Sequence, residues 1–212
     1  MATKKTSKTG IISVEKPTWF PLEDETGTYP VYGEAITIGT AVSINPSINT
    51  ETAQDYGDSV IQDQFTAFGG AELSLTTNGY THKVLSELTG GTLLKGGVLR
   101  SGEDVAPDGA FAYRRKKTNG KYRYTVLYKG QFTLSSDETS TIEGSSVTFT
   151  HPEWTGSFVD VPGLGYIYSV DEDDEEADAS MIAAWFEKVA NPKQDAAPAS
   201  ANVQLKKEDK GE

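Results

Sequence analysis

The chain contains no cysteine, which excludes a disulfide framework and any thiolate metal site. Histidine is almost as scarce, with only His82 and His151. His82 has no second ligand at metal-site spacing and His151 precedes Pro152, so neither a zinc site nor a Ser-His-acid triad is supported. No apolar run approaches the roughly 20 residues of a membrane-spanning helix, so no membrane insertion is expected. The opening segment, MATKKTSKTG, lacks the apolar centre of a signal peptide, which predicts folding in a cytosol. Basic residues are the minority charge, 19 Lys and Arg against 31 Asp and Glu. The resulting net charge of −12 argues against general affinity for DNA, because carboxylates repel phosphates.

Two motifs come close to known sites and miss. GGTLLKGG, Gly90 to Gly97, needs Lys followed by Ser or Thr to cradle phosphates, and Gly97-Val98 follows Gly96 instead. DEDDEE, Asp171 to Glu176, starts like a calcium loop but has Glu176 where that loop needs Gly, and Ile182 where it needs Glu. It reads as a solvated acidic run. The expectation is no metal, no cofactor and no catalytic residue.

What is present points to strands. The sequence holds 21 Gly and 10 Tyr among many Thr and Ser, a composition that predicts a mainly β chain with many turns. Residues 1–10 read as a flexible N-terminal arm. Residues 11–170 read as one β domain. Within it, 45–65 is polar and without period, and reads as a long loop of the kind that is usually functional or disordered. Residues 81–90 predict a short helix, capped by Thr81, closed by Gly90, with Val84, Leu85 and Leu88 on one face. Residues 171–190 comprise the acidic run and an amphipathic helix, Ala179 to Val189, with the stripe Ile182, Trp185, Phe186 and Val189. Residues 191–212 have the composition of a disordered tail.

The most informative stretch is RRKKTNGKYRYTVLYKG, Arg114 to Gly130, with seven basic residues and no acid. Asn119-Gly120 predicts a two-residue type I′ turn in a hairpin spanning 111–129. That turn sets Lys116 opposite Arg123 and puts Arg114, Lys116, Lys121 and Arg123 on one face. Like charges directly opposite destabilise a sheet, so water and salt or an acidic surface must compensate. The expected location is the outer surface or the acidic groups of a neighbouring subunit.

Several stretches together resemble the major tail proteins of long, flexible-tailed phages of Gram-positive bacteria, the phi-13-type tail tube family. They are FGGAELSLTTNGYTHKVLSELTGG (Phe68 to Gly91), RRKKTNGKYRYTVLYKGQF (Arg114 to Phe132), SSVTFTHPEWTGSF (Ser145 to Phe158) and DASMIAAWFEKV (Asp178 to Val189). QDYGDSV, Gln54 to Val60, is similar to a Tyr-x-Asp patch in that family's long loop. The resemblance rests on their order and spacing over roughly Ile36 to Val189.

It implies a β-sandwich or barrel with one short flanking helix and a C-terminal helix. It also implies a virion subunit assembled in the host cytoplasm. Hexameric rings would stack into a hollow tube around a tape measure protein, between tail terminator and distal tail or baseplate proteins. DNA would pass through without specific binding. The expected subunit and ring contacts are Tyr56, Asp58, Arg114, Lys116, Lys121, Arg123 and Trp185. Two alternatives remain open: a phage-tail-like bacteriocin tube, and a monomeric β-sandwich that binds carbohydrate or a cell surface.

Overall fold

Alternating apolar side chains fold most of the chain into antiparallel strands, as the composition predicts. The computed structural model describes residues 9–58, 60–139, 141 and 148–195. The expected arm (1–10) falls mostly, and the expected tail (191–212) largely, outside the described residues.

The elements in chain order are β1 (Ile11–Asp24), β2 (Val31–Tyr32), β3 (Ile36–Thr37), β4 (Ala41–Gly57), β5 (Val60–Thr77), α1 (His82–Thr89), β6 (Thr92–Leu94), β7 (Gly97–Leu99), β8 (Gly109–Lys117), β9 (Tyr122–Ser136), β10 (Glu153–Val159), β11 (Ile167–Asp171), α2 (Ala179–Ala183) and α3 (Pro192–Asp195). The main sheet runs β2-β1-β8-β9-β10-β5-β4, with β11 added to β9 and β3 to β1. The fold is mainly β and sandwich-like, but it is not a closed barrel, because the path of paired strands has two ends.

The hairpin β8–β9 lies at the centre and is covered on both faces. Phe111, Tyr113 and Leu127 join Trp19, Leu73, Leu75, Phe132 and Trp154 in one core cluster. Ala112, Tyr124, Val126 and Tyr128 join Phe20, Met181 and Trp185 in a second. Helix α1 follows the sequence closely. Thr81 accepts a hydrogen bond from the Val84 N–H at 3.3 Å, and Gly90 closes the helix at φ 77°. Its Val84, Leu85 and Leu88 are buried against the first cluster.

Three expectations are corrected. The expected loop 45–65 is instead a continuous hairpin of β4 and β5, paired from Ala41 and Thr77 out to Gly57 and Val60. The C-terminal helix is shorter than its apolar stripe: α2 ends at Ala183, and the chain continues in tight turns such as Trp185 N–H to Ile182 C=O at 3.3 Å. Ile182, Trp185, Phe186 and Val189 nevertheless pack on the second cluster.

The third correction concerns hairpin register. The loop has three residues, Thr118 to Gly120. The Lys117 N–H donates to the Lys121 carbonyl at 2.8 Å, and the Gly120 N–H to the Lys117 carbonyl at 3.0 Å. Gly120, at φ 84°, makes the left-handed step that a type I turn with a bulge needs. Pairing therefore shifts by one: Arg115 faces Arg123, and Lys116 faces Tyr122.

Candidate functional site

The register shift separates the basic residues. Arg115 and Arg123 point to one face of the hairpin, and Arg114 and Lys116 to the other, so the four expected contact residues do not share a face. The expected counter-charge also has a different source: it comes from this chain. Strand β11 pairs with β9 in the register Asp171↔Arg123, which delivers the acidic run to the hairpin tip.

Arg123 donates to both oxygens of Asp171, at 2.5 and 2.8 Å. Lys117 is buried to 2% side-chain exposure and lies 3.3 Å from Asp171, with a closer bond to Asp173. Asn119 Nδ2 donates to Asp173 at 2.7 Å. Lys121 Nζ and the Tyr122 N–H both donate to Glu172 at 3.0 Å. Arg114 donates twice to Glu15 Oε2 from β1, at 3.0 and 2.7 Å, and lies 4.1 Å over the Tyr122 ring. The acidic run is therefore a clasp across the hairpin tip and is not merely solvated.

Five of the seven basic residues in the stretch form ion pairs: Arg114, Lys117, Lys121, Arg123 and Lys129. Of the other two, Arg115 lies 5.6 Å over the Tyr113 ring, and Lys116 makes no ion pair among the described residues. Within this stretch most of the basic charge is therefore already matched by carboxylates of the same chain.

The clasp is acid-sensitive. The hydrogen bond from Arg123 holds the Asp171 carboxyl down to about 2, from an ordinary 3.8, against the opposing effect of burial. Lys117 likewise holds Asp173 low. Because the folded value lies below the unfolded one, this contribution is complete above about pH 4 and is lost as pH falls toward about 2. Acid unfolding followed by tryptophan fluorescence should lose stability in that window. Asp171→Asn should flatten the pH dependence there while lowering stability at neutral pH. A titration identical to wild type would show that the pair contributes nothing.

Beside the clasp, a cavity of about 560 Å³ opens between β11 and the turn before α2, lined by Arg115, Arg123, Tyr168, Ser169, Asp178 and Met181 among others. Among the described residues, no group of three His, Asp or Glu is arranged to hold a metal ion. Trp185 seals the neighbouring face at 1% exposure, with ring centroids 5.4 Å from Tyr124 and 5.9 Å from Tyr168. It is a core residue within the subunit.

The second candidate site is the outer half of β4–β5. Strand β10 pairs with β5 only as far as Ala71, so among the described residues Asn49–Gly57 and Val60–Gly70 pair only with each other. At about 3.3 Å per residue, this arm reaches about 30 Å beyond the sheet. Its two faces differ. One carries a polar ladder, Thr52 to Thr66 at 3.2 Å and Gln54 to Gln64 at 3.3 Å. The other carries Glu51, Ala53, Asp55, Val60, Asp63 and Phe65, by the pairs Ala53↔Phe65 and Asp55↔Asp63. Phe65 is 70% exposed. Tyr56 stands at the tip, 62% exposed, and donates to Gln54 Oε1 at 2.7 Å. Asp58 occupies the turn at φ 51°.

The structure thus places Tyr56 and Asp58 on the arm, Arg114, Lys121 and Arg123 in intrachain ion pairs, and Trp185 in the core. Sequence reasoning missed Lys117, Glu15 and the clasp carboxylates Asp171 to Asp173. The only signal for the clasp was the match between one acid-free basic segment and one acidic run. Compared with family models and with curated proteins, the chain matches none.

Proposed function

We propose that this protein is a structural subunit of a phage tail tube, self-assembling into stacked rings, hexameric by resemblance, that form the conduit for DNA ejection. The observation that carries the reading is the arm. A lone two-stranded ribbon is at best marginally stable in water, and this one exposes Phe65, Tyr56, Val60 and Ile61. An element of that kind suits contact between rings. The outer edge of β4, a 17-residue strand that among the described residues pairs only with β5, supplies unpaired backbone groups for a neighbouring sheet.

Charge supports the same reading. An acidic protein whose basic hairpin is neutralised by its own clasp suits a channel that transmits DNA without holding it. Its partners would be copies of itself, a tape measure protein, and the terminator and distal proteins at the tube ends, in the virion tail.

The test is electron microscopy of purified protein across a concentration series. Rings or tubes are expected. Replacing residues 50–69 with Asn-Gly closes the hairpin at its Asn49↔Gly70 pair and should abolish tubes while leaving monomer circular dichroism unchanged. Normal tubes from that variant would remove the arm from the contact. A wild-type protein that stays monomeric at high concentration and binds glycans would favour the carbohydrate-binding module.

A further inference from the structure

The arm's acidic face has a counterpart elsewhere on the molecule. The small hairpin β6–β7 beside α1 pairs Thr92 with Leu99 and Leu94 with Gly97, so Leu94 and Leu99 share one face. Val98, on the opposite face, packs against the first core cluster, which turns Leu94 and Leu99 outward at 53% and 61% exposure. Lys95 at the turn and Arg100 just past β7 flank them. Neither makes an ion pair among the described residues. This is a second marginal ribbon with an exposed apolar face, and its charge is basic.

The arm presents the complement. Phe65 and Val60 stand out among Glu51, Asp55 and Asp63, and no Lys or Arg occurs between residues 17 and 82. Asp55 lies directly opposite Asp63, a like-charge pair that destabilises the free ribbon. A cationic partner surface relieves that repulsion.

We infer that the arm of one copy docks on the β6–β7 ribbon of a second copy, Phe65 against Leu94 and Leu99, with Asp55 and Asp63 facing Lys95 and Arg100. This deepens the tail tube reading and rests on it. The contact is heterologous, joining two different patches. Repeated head to tail, such a contact closes a ring or extends an open assembly, and it does not stop at a two-fold dimer. Charge complementarity fixes its register and excludes arm-to-arm pairing, where acid would meet acid.

Because the chain has no cysteine, the contact can be trapped. Phe65→Cys and Leu94→Cys in one chain should give, on oxidation of assembled protein, a ladder of covalent multimers. Either single variant should give none. Charge reversal supplies the second arm of the test. Asp55→Lys with Asp63→Lys keeps a like-charge pair within the ribbon, so the monomer is balanced as before. That variant, or Lys95→Glu with Arg100→Glu, should raise the concentration needed for assembly at least about tenfold at low salt. Mixing the two variants should restore assembly, since each arm then meets an opposite charge on the other variant. If wild-type tubes form but the double-cysteine protein yields no ladder and the reversals assemble normally, the docking assignment is wrong and the tail tube reading stands. If wild-type protein forms no assembly at any concentration, both fall.

Discussion

Trp185→Ala is expected to lower the stability of the monomer by about 3–5 kcal/mol, the usual cost of truncating a buried large aromatic. For a domain of this size that corresponds to a fall in Tm of roughly 6–20 °C. The physical reason is the second core cluster. Trp185 lies against Tyr124 and Tyr168 and covers the face of β9 that carries Val126 and Tyr128. Removing it leaves a void lined by rings anchored in strands, which cannot collapse into the space. The Trp185 indole N–H has no hydrogen-bond partner among the described residues, so Trp185→Phe loses none of their bonds and should cost far less than Ala. Truncation after residue 195 should change little. Truncation after Val189 should be costly, because the Tyr128 hydroxyl donates to the Ala190 carbonyl at 3.1 Å and Asn191 is buried. Thermal melts of the four variants check this. If Trp185→Ala melts with the wild type, the C-terminal segment does not hold the core.

That segment also shows how far the sequence could be read. The apolar stripe correctly marked the residues that pack, because burial depends on which side chains are apolar. It overstated the helix, because the same contacts are reached by α2 and tight turns. Helix α1 was legible to its ends, since its signals are local: Thr81 caps, Gly90 stops, and three apolar residues face one way. The arm was not legible as strands. Its ladder pairs Thr with Thr and Gln with Gln, and neither of its faces is buried, so no hydrophobic alternation marks it. The hairpin at Asn119-Gly120 was legible but its register was not. Asn-Gly suits both a two-residue turn and a three-residue turn with a bulge, and neighbouring strands decide between them. Here the tip closes as the three-residue turn, and β1 and β11 pair along the two strands of the resulting hairpin. A one-residue slip reverses every side chain, which is why the charged face was assigned wrongly while the hairpin itself was found.

The same register makes the clasp a second place where a large effect is expected, and its size depends on which side is removed. Lys117 is buried to 2% side-chain exposure, whereas Asp171 and Asp173 remain 25% and 26% exposed. For Lys117, burial lowers the pKa, but the bonds to Asp173 and Asp171 outweigh it and the net direction is upward. Asp171→Asn with Asp173→Asn strands an ammonium away from water without a counter-charge. That should cost about 3–5 kcal/mol at neutral pH. Lys117→Met keeps the apolar stem, removes the buried charge, and leaves carboxylates that water can reach, so it should cost no more than about 1–2 kcal/mol. Combining all three substitutions should recover most of the loss, because the stranded charge is gone. Lys121→Ala, at an exposed pair with Glu172, should change stability by about 0–1 kcal/mol. The double Asn variant carries its own signature. With its partners gone, burial pulls the Lys117 pKa down, so its folded value falls below the unfolded one and the deficit should shrink as pH rises toward the ordinary lysine range. Urea unfolding of the five proteins between neutral and alkaline pH measures each of these quantities. Equal losses for Lys117→Met and the double Asn variant, with no recovery in the triple, would mean that the clasp acts through local geometry alone and not through the buried charge.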